Sequence, residues 1–428
     1  MSSTGSGVIE PVGSFRDETS THRYQTMTAI PRYRAHAGPA ILSAGFRPLF
    51  LAAAAWAAIG IPLWLAVYAC GAVIPSVLPP VVWHAHEMVF GFAAATVAGF
   101  LLTAIPNWTG RMPLQGGPLA ALVLLWAVGR IGVLISAIIG APVATVADLS
   151  FPTVFLGVIA REVLAGRNWR NLPMIAALAL LLTGNLLVHL DAMGLTDTAG
   201  FGNRIGIATL LLLISLVGGR IIPSFTRNWL TKTRPEAAPP VPAGRFDIAM
   251  LLATLLALAA WTIAPDAAAT AWMMLLAGLV AAVRLSRWRG IHTAREPLLL
   301  ILHVGYGWLA AGLLLLGLDS ILAFMPSTGA LHALTVGAIG TMTLAVMTRA
   351  SLGHTGRPLV AGPGTRTIYV LVTFSAILRV VSPLAGNSLV IVLFLAGVAW
   401  TGAFALFVLL YGRLLAGPRV RGKAARPI

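Results

Sequence analysis

Charge is what this sequence has least of. Only 10% of its 428 residues are Asp, Glu, Lys or Arg, where an ordinary soluble domain carries roughly 25%. A soluble fold cannot shed that much charge and stay dissolved, whereas a membrane fold must. Acidic residues are scarcest, 13 against 29 basic. Lysine is nearly absent as well, with only Lys232 and Lys423, so arginine carries almost all the positive charge. The lone cysteine, Cys70, excludes an intrachain disulfide and a zinc ribbon. The first 45 residues lack an apolar run ahead of a cleavage site, so no removable signal peptide is expected.

What the chain has instead is hydrocarbon: 58% of its residues are apolar. A helix needs roughly 20 such residues to cross a bilayer core. Runs of that kind lie near 47–71, 82–105, 117–139, 145–162, 173–190, 205–223, 246–263, 269–286, 297–318, 328–348, 367–384 and 389–412. The expected fold is all-α, a polytopic membrane protein with twelve transmembrane helices. Its single membrane domain covers 46–415, between a disordered cytoplasmic tail, 1–45, and a basic cytoplasmic tail, 416–428. Charge placement tests the count, because cations gather in cytoplasmic connections. With the N-terminal tail inside, the two tails and the even-numbered connections hold every basic residue except Arg130, Arg204 and Arg379. The opposite connections hold Asp148, Asp191, Asp197, Asp266 and Asp319. A missing or extra span would scramble this alternation. The net charge of +16 is therefore read as orientation in a lipid bilayer, with both termini cytoplasmic. It does not point to a nucleic-acid partner.

The three exceptional arginines sit at membrane depth, where an unpaired cation is costly. Arg204 and Arg379 fall toward the outer ends of spans six and eleven, within snorkelling range. Arg130, a little past the middle of span three, is deeper. Each offers either a structural pair or an anion clamp, and haem propionates are one anion that suits a guanidinium fork. Six of the histidines lie at or in spans: His84, His86, His189, His303, His332 and His354. Ionisable groups there are functional candidates, and histidine ligates both haem iron and copper. The alternative for any one of them is a hydrogen-bonded core residue. By depth, His84, His86, His189 and His332 share the outer face and are placed to share a cofactor. His303 and His354 lie toward the inner side, as candidates for a second centre. A helix turns about 100° per residue, so His84 and His86 point in different directions and cannot both ligate one metal. Glu87 is open to proton transfer, metal ligation, orienting a histidine or pairing with Arg130. Gly337 and Gly340 in span ten read as close helix packing.

Spans two, six and ten end alike. The first two end in Ile105-Pro106-Asn107-Trp108-Thr109 and Ile222-Pro223-Ser224-Phe225-Thr226. The third ends in Met347-Thr348-Arg349, followed by His354-Thr355-Gly356-Arg357. This spacing suggests three repeats of four helices. Haem-copper oxidase main subunits have twelve helices in three such arcs, with a low-spin haem held by histidines of spans two and ten. Both of those spans carry histidine here. The chain departs from that pattern at the copper site, because spans six and seven contain no histidine.

Several longer runs resemble the NnrS family, over about residues 40 to 415. They are Gly45-Phe46-Arg47-Pro48-Leu49-Phe50, Trp83-His84-Ala85-His86-Glu87-Met88, Pro106-Asn107-Trp108-Thr109-Gly110-Arg111, His303-Val304-Gly305-Tyr306, Leu331-His332-Ala333-Leu334-Thr335 and Arg349-Ala350-Ser351-Leu352-Gly353-His354. The resemblance implies a bacterial inner-membrane protein containing haem and copper. It ties the chain to denitrification and to resistance against nitrosative stress, with nitric oxide or iron-nitrosyl species as partners. It transfers no ligand assignment, so the site rests on topology. One haem would be held by His332 and either His84 or His86, with Arg130 or Arg379 near the propionates and His303 a further candidate. Metal ligands would come from His84, His86, Glu87, His189, His332 and His354. Two readings compete with this one. A proton-coupled transporter would use the intramembrane His, Glu and Arg as a relay. A membrane oxidoreductase would act on nitric oxide itself, and the lack of histidine in spans six and seven counts against it.

Overall fold

A computed structural model describes residues 37–420. The calls on the tails at 1–36 and 421–428 lie outside the described residues. Among the described residues there is no strand, and twelve helices are long and apolar enough to cross a membrane. They are α1 (Phe46–Cys70), α2 (Pro80–Thr109), α3 (Gly117–Leu134), α4 (Ala141–Ala165), α5 (Trp169–Ala192), α6 (Ala199–Thr233), α7 (Arg245–Ile263), α8 (Ala268–Ser286), α9 (Pro297–Leu322), α10 (Ser327–His354), α11 (Pro363–Leu384) and α12 (Gly386–Ala416). The expected all-α membrane architecture is the one observed. Short connections alternate between two ends of the bundle. Those at 110–116, 166–168, 234–244, 287–296 and 355–362 share what is called here the basic end.

Boundaries differ from the sequence reading where the chain bends. α3 stops at Leu134 because Ile135 leaves the helical region (φ −107°, ψ 19°), and a separate turn, Ser136–Ile139, follows. Arg130 therefore lies one turn from the end of α3, away from the basic end. α4 is longer than expected and runs through Pro152. Asp148, assigned to a connection by the charge pattern, is buried inside α4. Arg47 and Arg284, assigned to the tail and to a cytoplasmic connection, are likewise buried, in α1 and α8. Arg47 donates from Nη1 to the carbonyl oxygens of Leu415 (2.7 Å) and Gly417 (2.6 Å). It thereby satisfies carbonyls that the end of α12 leaves unpaired.

In lipid, helices associate through close packing and polar contacts, because the tails outside are as apolar as the side chains. α2, α6 and α10 touch one another and form the inner bundle. In each, 67% of the most apolar stretch is buried, against 33–39% in every other span but α9 (61%). All three are interrupted by a π-helical stretch: Glu87–Ala93, Ile214–Gly218 and Ala333–Gly340. Such insertions frequently mark functional sites. The four-helix spacing of the sequence matches recurs here as a shared distortion of the three innermost helices. Gly337 and Gly340 do serve packing, since a Cβ at either would stand 2.7 Å from Trp308 or 2.6 Å from Trp400.

Candidate functional site

Away from the basic end, α1 to α5 converge on a buried polar cluster. His86 and Glu87 come from α2, where its first α-helical turns pass into the π stretch. α3 supplies Arg130, α4 Asp148, and α5 Asn185 and His189. None of the six is more than 3% exposed, so each must find its partners inside the protein. Arg130 bridges the two carboxylates: Nη1 donates to Glu87 Oε1 at 2.7 Å, and Nη2 donates to Asp148 Oδ1. Glu87 Oε2 accepts the indole N–H of Trp56 at 2.7 Å, and Oε1 lies 3.0 Å from His86 Nδ1. Asp148 Oδ2 accepts from Asn185 Nδ2 at 2.9 Å. The same oxygen lies 2.9 Å from His189 Nε2 and 3.2 Å from His86 Nε2.

Two glycines make this convergence possible. A Cβ on Gly91 would stand 2.8 Å from Arg130 Nη1 and 3.0 Å from Glu87 Oε2, and one on Gly129 would stand 2.9 Å from Asp148 Oδ1. His86, Asp148 and His189 each offer a ligand atom within 4.8 Å of the others. They are the one such group of three or more donors among the described residues. Two carboxylates against one guanidinium leave a single negative charge away from water. That charge is costly at membrane depth. A proton held among the imidazoles or a bound cation balances it.

His84, two residues before His86, faces a different neighbourhood, as helical rotation requires. Its ring stacks on Trp64 of α1 with centroids 4.4 Å apart, and Trp64 stacks on Tyr68 at 5.0 Å. The buried Nδ1 of His84 has no hydrogen-bond partner. His332, in the turn before the π stretch of α10, holds Nδ1 2.6 Å from the carbonyl oxygen of Thr328. A carbonyl only accepts, so Nδ1 carries the proton; in the neutral ring the Nε2 lone pair is then free. Arg379 of α11 is near enough to act electrostatically on both imidazoles, and His84 acts on His332. Arg379 donates to Ser382 Oγ at 3.0 Å. Among the described residues no carboxylate pairs with it.

The structure thus divides the four histidines that sequence depth placed together. His86 and His189 join Glu87 and Arg130, while His84 and His332 join Arg379. One cofactor shared by all four does not fit, because the regular helical start of α2 sends His84 and His86 apart. Arg130 is committed to two carboxylates, and Arg379 to none. Among the described residues, His303 and His354 enter no cluster of three such donors. His303 Nδ1 donates to the Leu299 carbonyl at 3.0 Å. His354 packs on the Phe46 ring at 5.5 Å and lines a cavity at the basic end.

Sequence reasoning missed Asp148 and Asn185. It also missed a second buried group, in which Arg284 donates to Asp247 Oδ1 (2.8 Å), the Ser215 carbonyl (3.0 Å) and the Tyr306 hydroxyl (3.2 Å). The available signal was in the sequence: Asn185 is a lone amide in the run at 173–190, and Asp148 and Asp247 fall inside the runs at 145–162 and 246–263.

Fold and site together define a class: a polytopic helical membrane protein with a buried His–Asp–His group able to bind a metal near one end. The model of the NnrS protein family matches residues 40–419. The chain belongs to that family. No curated protein matches it.

Proposed function

We propose that the chain is a haem- and copper-binding protein of the bacterial inner membrane, both termini cytoplasmic, that limits damage by nitric oxide. The observation that carries this reading is the His86–Asp148–His189 group. Two imidazoles and a carboxylate suit copper, and also iron or zinc; family membership favours copper. A metal ion would take the place of the hydrogen that His86 Nε2 shares with Asn185 Oδ1 at 2.8 Å, and the remaining surroundings fit it. Glu87 holds the Nδ1 side of His86, the carboxylate–histidine pairing that orients a ligand ring. Arg130 and Asn185 hold Asp148. A cation would supply the positive charge that the cluster lacks. The bound ion would bring redox chemistry to a site from which the protein excludes water.

Haem is assigned to the second group. The partnerless Nδ1 of His84 and the free Nε2 of His332 are the nitrogens that would hold it. Arg379, without a carboxylate of its own, suits a propionate. Trp64 supplies an aromatic wall. A haem there would supply iron able to bind nitric oxide.

Optical spectra and metal analysis of the detergent-purified protein test the reading. It predicts a Soret band together with stoichiometric metal. A preparation with neither, even after haem supplementation, contradicts it. One observation favours a proton-coupled transporter instead: Glu87, His86, Asp148 and His189 form a continuous row of ionisable groups, hydrogen-bonded at Glu87–His86 and Asp148–His189 and 3.2 Å apart at His86–Asp148, as proton relays do. Proton uptake into proteoliposomes by cofactor-free protein would favour that reading. Turnover of nitric oxide by the pure protein with an electron donor would establish an oxidoreductase.

A further inference from the structure

At the basic end, the connection between α2 and α3 stands off from α4 and leaves an open recess of about 580 Å³. Leu102 and Ile105 of α2 and Val158 and Ile159 of α4 line its apolar part. Its charged lining is Arg111 of the connection with Arg161 and Glu162 near the end of α4. The fold holds this shape from both sides. Gly110 and Gly116, at the two ends of the connection, have positive φ (72° and 64°), which glycine adopts without steric cost. The Gly116 N–H donates to the Leu42 carbonyl at 2.9 Å, and Gln115 Nε2 donates to the Ser43 carbonyl at 2.7 Å. Asn168, just past α4, donates from Nδ2 to the Trp108 carbonyl of α2 at 2.6 Å.

Glu162 is 9% exposed and takes both guanidiniums. Arg111 donates from Nε to Oε2, and Arg161 donates from Nε to Oε1 at 2.9 Å. Two cations against one carboxylate leave a net positive charge at the mouth. The arginine side chains are 41% and 65% exposed, so both guanidiniums also face outward. Among the described residues, neither Nη of Arg111 and not Nη1 of Arg161 has an acceptor.

α4 is the least buried of the twelve spans, and its Val154 and Leu164 are exposed. The recess therefore lies at the perimeter of the bundle, where lipid is the solvent. A water-soluble anion would use the arginines and gain nothing from the apolar wall. A zwitterionic lipid brings a phosphate together with a cation that the mouth repels. An anionic phospholipid satisfies both parts: its phosphate suits the planar guanidinium fork, and its acyl chain suits the wall. Basic pockets between spans recognise anionic headgroups by this chemistry.

We propose that the recess binds one anionic phospholipid, its phosphate at Arg111 and Arg161 and an acyl chain against Leu102, Ile105, Val158 and Ile159. The inference rests on the membrane fold and is independent of the function proposed above.

Native mass spectrometry of the full-length protein, titrated with phosphatidylglycerol or phosphatidylcholine, tests it. One phosphatidylglycerol should be retained in preference to phosphatidylcholine. A cation lost near a membrane surface costs about fivefold in affinity. Arg111→Gln and Arg161→Gln, made separately, should each weaken phosphatidylglycerol binding by about that factor. Arg289→Gln removes the same charge from another connection at the basic end and should leave binding unchanged. Val158→Trp fills the apolar part and should weaken binding with both arginines in place. Equal retention of the two lipids, displacement of the lipid by excess inorganic phosphate, or equal weakening by Arg289→Gln overturns the inference. Should one arginine variant fail to fold, the other and Val158→Trp still decide.

Discussion

Arg130 carries more of the candidate centre than any histidine does. Its guanidinium sits between Glu87 and Asp148, 3% exposed, and takes both carboxylates at once. Replacing it by methionine keeps much of the volume and leaves two buried carboxylates facing each other. Breaking such a buried pair costs about 3–5 kcal/mol. Arg130→Met should therefore lower the melting temperature sharply in detergent and cut the yield of folded protein. A variant as stable as the parent would mean that the carboxylates are already neutral or otherwise paired. At Arg379 the expectation differs, because no buried carboxylate depends on it.

Among the elements, the helices were far more legible than their ends. Twenty apolar residues in a row announce a span whatever they pack against, and charge alternation then fixes the count. Neither signal says where a helix stops. α3 ends five residues before its apolar run does because of the backbone at Ile135, and so Arg130 looked deeper than it is. Loop assignments of Asp148 and Arg284 failed for a related reason. Single-residue charge reads as an end of a span, yet each of these side chains has a buried partner on another helix that no local pattern reveals. The different bearings of His84 and His86 were legible because rotation within one helix is a local property. The pairing of Asp148 with α2 and α5 was not, because it depends on which helices meet. Arg47 offers a test at this scale. Its two bonds to the end of α12 join a charged donor to carbonyls, worth about 1.5–3 kcal/mol each. Arg47→Met should fray the last turn of α12, read as faster tryptic cleavage at Arg413. Unchanged cleavage would mean that the helix end needs no cap.

At the scale of the whole molecule, the twelve spans among the described residues put the start of α1 and the end of α12 on one side, and the proposal that this side is the cytoplasm rests on the basic connections gathered there. The single cysteine reports on this directly. Cys70 ends α1 at the face away from the basic end and is exposed. A membrane-impermeant maleimide should label it in intact spheroplasts. Labelling that appears only after permeabilisation would invert the orientation. In the orientation proposed, both histidine groups lie toward the periplasmic face. The account's central claim is that these two groups are separate centres, a metal held with His86 and a haem held with His332. Haem and metal content measured side by side on purified His86→Ala and His332→Ala tests it most directly. The account predicts that His86→Ala loses metal and keeps its Soret band, whereas His332→Ala loses the Soret band and keeps metal. Loss of the same cofactor from both variants, with folding intact, would contradict it.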